Sequence, residues 1–126
     1  MGRMAYFSDG SERKFWFACQ STSDIQEFGG HEVGVDMIRM EWDKEDLPDI
    51  NKAIEAAQEE LKVTGYTYEG FMKGLEDRGH MIRSDDREAN TQAWKEAEKL
   101  CARIELGMHI KTIVERDGSA SVEAEC

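Results

Sequence analysis

The sequence predicts an α+β domain: one antiparallel sheet of about five strands, in the order β-β-β-α-α-α-β-β, with helices packed mainly on one face. Three observations predict it. Strand-like runs gather at both ends of the 126-residue chain, and segments with helical spacing of apolar residues fill the middle. The β and α segments do not alternate, which counts against a doubly wound parallel sheet. The length suits a single domain, residues 1–126, that can bury roughly 65% of its extended-chain surface.

The first strand runs from Arg3 to Phe7. Ser8-Asp9-Gly10-Ser11 then signals a turn, because Asp-Gly tolerates the positive φ of a tight hairpin. Lys14 to Gln20 is the return strand. Phe15, Phe17 and Cys19 on one side and Trp16 and Ala18 on the other make both its faces apolar, as in an interior strand. A polar loop from Ser21 to His31, containing Gly29-Gly30, leads to a strand over Glu32–Trp42. Ile38, Met40 and Trp42 share one side of it, Val33, Val35 and Met37 the other, with a bulge near Met37-Ile38.

The first helix carries the clearest signals. Asp46 is its expected N-cap, Pro48 lies in the first turn, and Asp49 stands three after the cap in an acidic capping box. Leu47, Ile50, Ile54, Ala57 and Leu61 recur at helical spacing, and the helix should end near Lys62 or Val63. The second, over Tyr66–Gly79, is capped by Thr67, has Tyr68, Phe71, Met72 and Leu75 as its apolar stripe, and ends at Gly79. His80 to Ser84 is a link. The third helix starts at Ser84 or Asp85, where Asp85 and Glu88 resemble a capping box, and stops near Leu106, with Gly107 at its C-cap. A closing hairpin joins Met108–Glu115 to Ser119–Glu125. A three-residue Asp117-Gly118-Ser119 loop pairs Val114 with Val122 and keeps Ile110, Thr112, Val114, Ala120, Val122 and Ala124 on one face, leaving Ile113 as the exception.

Charge bounds the partners. The chain carries 27 acidic and 16 basic side chains, a net charge of −11. Such a field repels nucleic acid and anionic membranes and favours cations or basic protein surfaces. The excess concentrates between Glu41 and Glu60, where eight carboxylates face two lysines for a net charge of −6. Hydrophobic residues make up 40% of the chain and Gly plus Pro only 12 residues, which argues for a folded core. Cys19, Cys101 and Cys126 lie far apart and form no ligand pair, as expected of reduced thiols in the cytoplasm. No apolar run approaches the ~20 residues of a membrane span, and Met1-Gly2-Arg3-Met4 lacks the apolar stretch of a signal peptide.

Motifs for catalysis are scarce. Asp43, Glu45, Asp46 and Asp49 lack the alternating spacing and loop glycine of a calcium-binding loop. Asp36, Glu41 and Lys44 suggest a nuclease-like site, but Lys44 stands three after Glu41 rather than two. His31, His80 and His109 form no HxH, HxxxH or HExxH pair. No GxSxG, GxxxxGK[ST] or GxGxxG segment occurs. Cys101 falls on an apolar helix face, and Cys19 with His31 would meet only in space. Tyr6, Trp16, Trp42, Tyr66 and Tyr68 are candidate interface anchors.

These readings converge on a small acidic, non-catalytic protein-binding module, without cofactor or metal, that inhibits or modulates a larger protein or complex bearing a basic surface. The expected contact residues are Glu41, Trp42, Asp43, Glu45, Asp49, Glu55 and Glu59. One alternative is a nucleic-acid mimic of phage or mobile-element origin that blocks a nucleic-acid-binding site. Another is a small ligand-binding domain or enzyme with its site near the 21–31 loop.

Overall fold

The computed structural model describes residues 4–14, 28–33, 38–79 and 81–124. Strands β1 (Met4–Phe7), β2 (Glu12–Lys14), β3 (His31–Val33) and β4 (Ile38–Asp43) precede the helices α1 (Leu47–Thr64), α2 (Tyr68–Asp77) and α3 (Gln92–Asp117), and β5 (Ser119–Ala124) follows them. The expected topology is therefore overturned. A fourth strand precedes the helices, and only one strand follows them. All neighbours in the sheet are antiparallel in the order β2-β1-β5-β4-β3. Its weight rests on the three central strands β1, β5 and β4, since β2 and β3 are three residues each. The last strand of the chain is thus the middle strand of the sheet, with Phe7 opposite Val122 on one side and Met40 opposite Val122 on the other.

The closing hairpin is replaced by helix because helical periodicity continues past Gly107. Ile104, Ile110, Ile113 and Val114 are all buried, whereas Thr112 is exposed. The i, i+3, i+4 pattern fits them and strict alternation does not. Ile113, the exception to the strand reading, was the residue that carried the correct period. Gly107 is not a terminator. A Cβ there would lie 2.6 Å from Phe28 Cε1 and 2.8 Å from Ile54 Cγ1, so the missing side chain admits the Phe28 ring and α1 against α3. The stop comes at Gly118, in the left-handed region at φ 86°, whose N–H bonds the Val114 carbonyl. At 26 residues α3 is about 39 Å long. The anticipated Val114–Val122 strand register disappears with the hairpin.

The other helices keep most of their expected signals. Thr67 caps α2 by accepting the Gly70 N–H at 3.1 Å. In α1 the buried face is Ile50, Ile54, Ala57 and Leu61, and Gly65 ends it. Its entry differs: Asp46 makes no cap bond to α1, and Asp43 caps a 3-10 turn over Lys44–Asp46 in a reciprocal box with Asp46. The third helix begins not at Ser84 or Asp85 but at Gln92, capped by Thr91. Asp86 instead accepts the Ala89 N–H at 3.1 Å and both holds and is held by Arg78, which fixes the link before α3.

The expected return strand over Lys14–Gln20 is observed as Glu12–Lys14, and 15–20 lie outside the described residues. The single strand expected over Glu32–Trp42 is the antiparallel pair β3 and β4, and 34–37, with the anticipated bulge near Met37, also lie outside them. One face of the sheet is buried through Phe7, Met40, Trp42, Ala120 and Val122, and α3 packs on β5 and against α1. The other face carries the polar groups.

Candidate functional site

Alternation along the central strands sets out that face. On β4, Met40 and Trp42 point inward, while Arg39, Glu41 and Asp43 are exposed. On β5, Ala120 and Val122 point inward, leaving Ser119, Ser121 and Glu123 on the outer side. The register places Tyr6, Glu123 and Arg39 in one row, Ser121 opposite Glu41 in the next, and Ser119 opposite Asp43 in the last. Arg39 and Glu123 form an ion pair across the strands. Ser8 extends the middle row: its N–H donates to the Ser121 carbonyl at 2.9 Å, and its hydroxyl accepts the Ser121 N–H at 3.0 Å.

Ser8, Glu41, Asp43, Ser119 and Ser121 line a shallow depression of about 280 Å³ on this face. It lies just below the roughly 300–1,000 Å³ of small-molecule sites, a size suited to one side chain rather than a whole ligand. Glu41 and Asp43 stand two apart on one strand, so their Cα atoms are about 6.6 Å apart. One Asp43 oxygen accepts the Glu45 N–H at 2.8 Å. His31 stands opposite Glu41 on β3, and among the residues whose side chains are described neither Glu41 nor Asp43 forms an ion pair. Exposed carboxylates beside three hydroxyls offer acceptors for a guanidinium or ammonium group.

The remaining residues of the acidic run lie elsewhere. Trp42 borders the depression but is 2% exposed, with its indole N–H donating to the Phe28 carbonyl at 3.2 Å, so its ring belongs to the core and does not offer the expected contact surface. Gly30, at φ 82°, lets the chain pass over it: a Cβ there would lie 2.6 Å from the indole nitrogen. Glu45 sits in the 3-10 turn, and Asp49 lies in the first turn of α1 beside Gly29. Glu55 and Glu59 are exposed further along α1, where Glu59 pairs with Lys62 at 2.9 Å. The helix as a whole carries four acids and two lysines. The structure therefore brings Glu41 and Asp43 together and separates them from Glu55 and Glu59. Ser8, Ser119 and Ser121 were missed because a lone serine carries no sequence signal until register is known.

A second polar cluster joins the β1–β2 turn to α3. Ser11 Oγ lies 2.8 Å from His109 Nε2 and 2.5 Å from Asp9 Oδ1. Asp9 Oδ2 is 3.7 Å from His109 Nε2 and 3.9 Å from an Arg116 nitrogen. The two hydrogen bonds of the Ser11 amide and hydroxyl hold the Asp9 carboxyl below its ordinary range, with His109 and Arg116 adding to them. Ser11 Oγ donates to the Asp9 carboxylate and also contacts His109 Nε2, so these contacts tie the β1–β2 turn to α3.

Burial pushes the Cys101 thiol up to about 12, which leaves it an unreactive core group. Cys19, Cys126, Asp36 and His80 lie outside the described residues, as do residues 21–27 of the loop proposed for an alternative site. Among the described residues no group of three or more His, Cys, Asp or Glu converges as for a metal, and no helix is long and apolar enough to cross a membrane. Among the described aromatic residues, Tyr66 and Tyr68 are half-buried against the core and Tyr6 is 37% exposed on the outer sheet face, while Trp16 lies outside the described residues. The chain matches no protein-family model, no curated protein and no solved structure.

Proposed function

We propose that this chain is a small, non-catalytic protein-binding module that takes a basic segment of a larger partner on the open face of its sheet, in the cytoplasm. The observation that carries this reading is the convergence of Glu41 and Asp43 with Ser8, Ser119 and Ser121 around one depression. A lysine or arginine head entering it would gain charge-assisted bonds to both carboxylates and neutral bonds to the hydroxyls. Tyr6, in the adjoining rows, supplies an aromatic surface for the partner's stem or a neighbouring side chain. The mimicry of nucleic acid draws less support, because the carboxylates between Glu41 and Glu60 are divided between a sheet face and a helix and do not follow one continuous path. Asp46 is also engaged in capping, where it accepts the Asp43 N–H.

The reading is tested with arrayed lysine- and arginine-containing peptides, ranked by affinity at ~0.1 and ~0.5 M salt. The best binder should lose about tenfold in affinity to Glu41→Gln, the equivalent of ~1.4 kcal/mol. Glu55→Gln and Glu59→Gln should leave it unchanged. Binding that depends on Glu55 and Glu59 but not on Glu41 would move the site to α1 and refute the sheet-face reading.

A further inference from the structure

A second surface, formed by residues separate from the sheet-face depression, lies where the last turns of α1 meet the first half of α3. Its groove of about 500 Å³ has an apolar part made by Val63 and Leu100 and a charged rim of Glu60, Glu96, Lys99 and Arg103. Val63 is 90% exposed, the most exposed of the large apolar side chains among the described residues. The rim is locally neutral, two acids with two bases, on a chain whose net charge is −11.

We propose that this groove is a self-association surface that takes a second copy of the chain. A two-fold interface must be complementary to itself, and a patch that carries an apolar centre with both signs of charge around it meets that condition. An arrangement that sets Glu96 of one copy against Lys99 of the other satisfies both contacts at once. A strongly basic partner gains nothing from a neutral rim, so the groove differs in chemistry from the carboxylate-lined depression. The net charge of each copy opposes approach at long range, and salt screens that repulsion while leaving the apolar contact intact. Self-association should therefore strengthen with salt, whereas docking of a basic partner weakens with it. The two readings stand or fall separately.

The test is sedimentation equilibrium of the full chain over a roughly hundredfold range of concentration at ~0.05 and ~0.5 M salt. The dimer fraction should rise with concentration and with salt. Val63→Gln, at an exposed helical position that tolerates glutamine, should weaken the dimer at least tenfold without altering the circular dichroism. Lys99→Glu should weaken it further at low salt, and adding Glu96→Lys to Lys99→Glu should restore it. A monomer at every concentration and salt, or a dimer indifferent to Val63→Gln, overturns the proposal.

Discussion

Two polar clusters of this molecule differ in how completely their groups are used. Around Arg78 nothing is left over. Its guanidinium donates to Asp86 at 2.6 Å, to Glu88 at 2.7 Å and to the Gly74 carbonyl at 3.3 Å, and its plane lies over the Trp94 ring at 5.6 Å. Tyr66 completes the set by donating to the second Glu88 oxygen at 3.2 Å, and burial together with that bond raises its phenol above the ordinary value. On the outer sheet face, by contrast, Glu41 and Asp43 line a depression and form no ion pair among the described side chains. A saturated cluster is architecture: every group has its partner within the chain, so none is left for another molecule. An unsaturated one has acceptors to offer, and only the second kind suits recognition.

The largest effect that would sharpen this contrast is on stability. Arg78→Met should lower the urea midpoint more than Glu98→Gln or Ser11→Ala shifts it, because it leaves Asp86 and Glu88 without their donor and removes the contact with Trp94. Arg78 also holds the Asp86 carboxyl below its ordinary value of 3.8, more strongly than the Ala89 N–H does. That contribution is present above pH 3.8 and is lost as pH falls through the lower folded-state value. Acid unfolding of the Met variant should lose this component.

Glu98 tests the opposite sign. Burial pushes its carboxyl from 4.5 to about 7, against a smaller downward pull from Lys95. The folded chain then holds a proton that the unfolded chain releases between these values, so stability falls as pH rises from 4.5 to about 7. Glu98→Gln should stabilise the protein by about 1–2 kcal/mol at a pH above this interval, with the gain vanishing below it. No gain above the interval would show that the carboxyl is solvated in the folded state.

Smaller changes follow at the other clusters. Ser11→Ala removes the hydroxyl between Asp9 and His109 and should lower stability by about 1 kcal/mol. Glu41→Gln should change stability by less than ~0.5 kcal/mol, as at an ordinary surface position, while weakening peptide binding. A large loss of stability in Glu41→Gln would break the comparison, since it would mean that the open face is also architecture.

The elements that were legible in the sequence carry redundant local signals. Helix α1 has a stripe of four buried residues and a glycine stop, and α2 has a threonine cap with Phe71 and Leu75 inward. Helix α3 was misread at both ends because its decisive contacts are distant in sequence. Gly107 looks like a C-cap unless the Phe28 ring and Ile54 are known to lie against it. Asp85 and Glu88 look like a capping box unless Arg78 is known to claim Glu88. The candidate site was legible only in part. Charge density singles out Glu41 and Asp43, which strand alternation turns outward. Trp42 was placed on the surface when alternation turns it inward, and the three serines depend on a sheet order in which the final strand returns to the centre. Local chemistry can be read from neighbours in sequence, but register and close approach cannot.

The most direct test of the central claim is an amide NMR titration of the full chain with the best lysine- or arginine-containing peptide. The account predicts shift changes centred on Ser8, Glu41, Asp43, Ser119 and Ser121 that disappear in Glu41→Gln and leave Glu55 and Glu59 undisturbed. Shift changes centred on α1, or a pattern unaffected by Glu41→Gln, would contradict it.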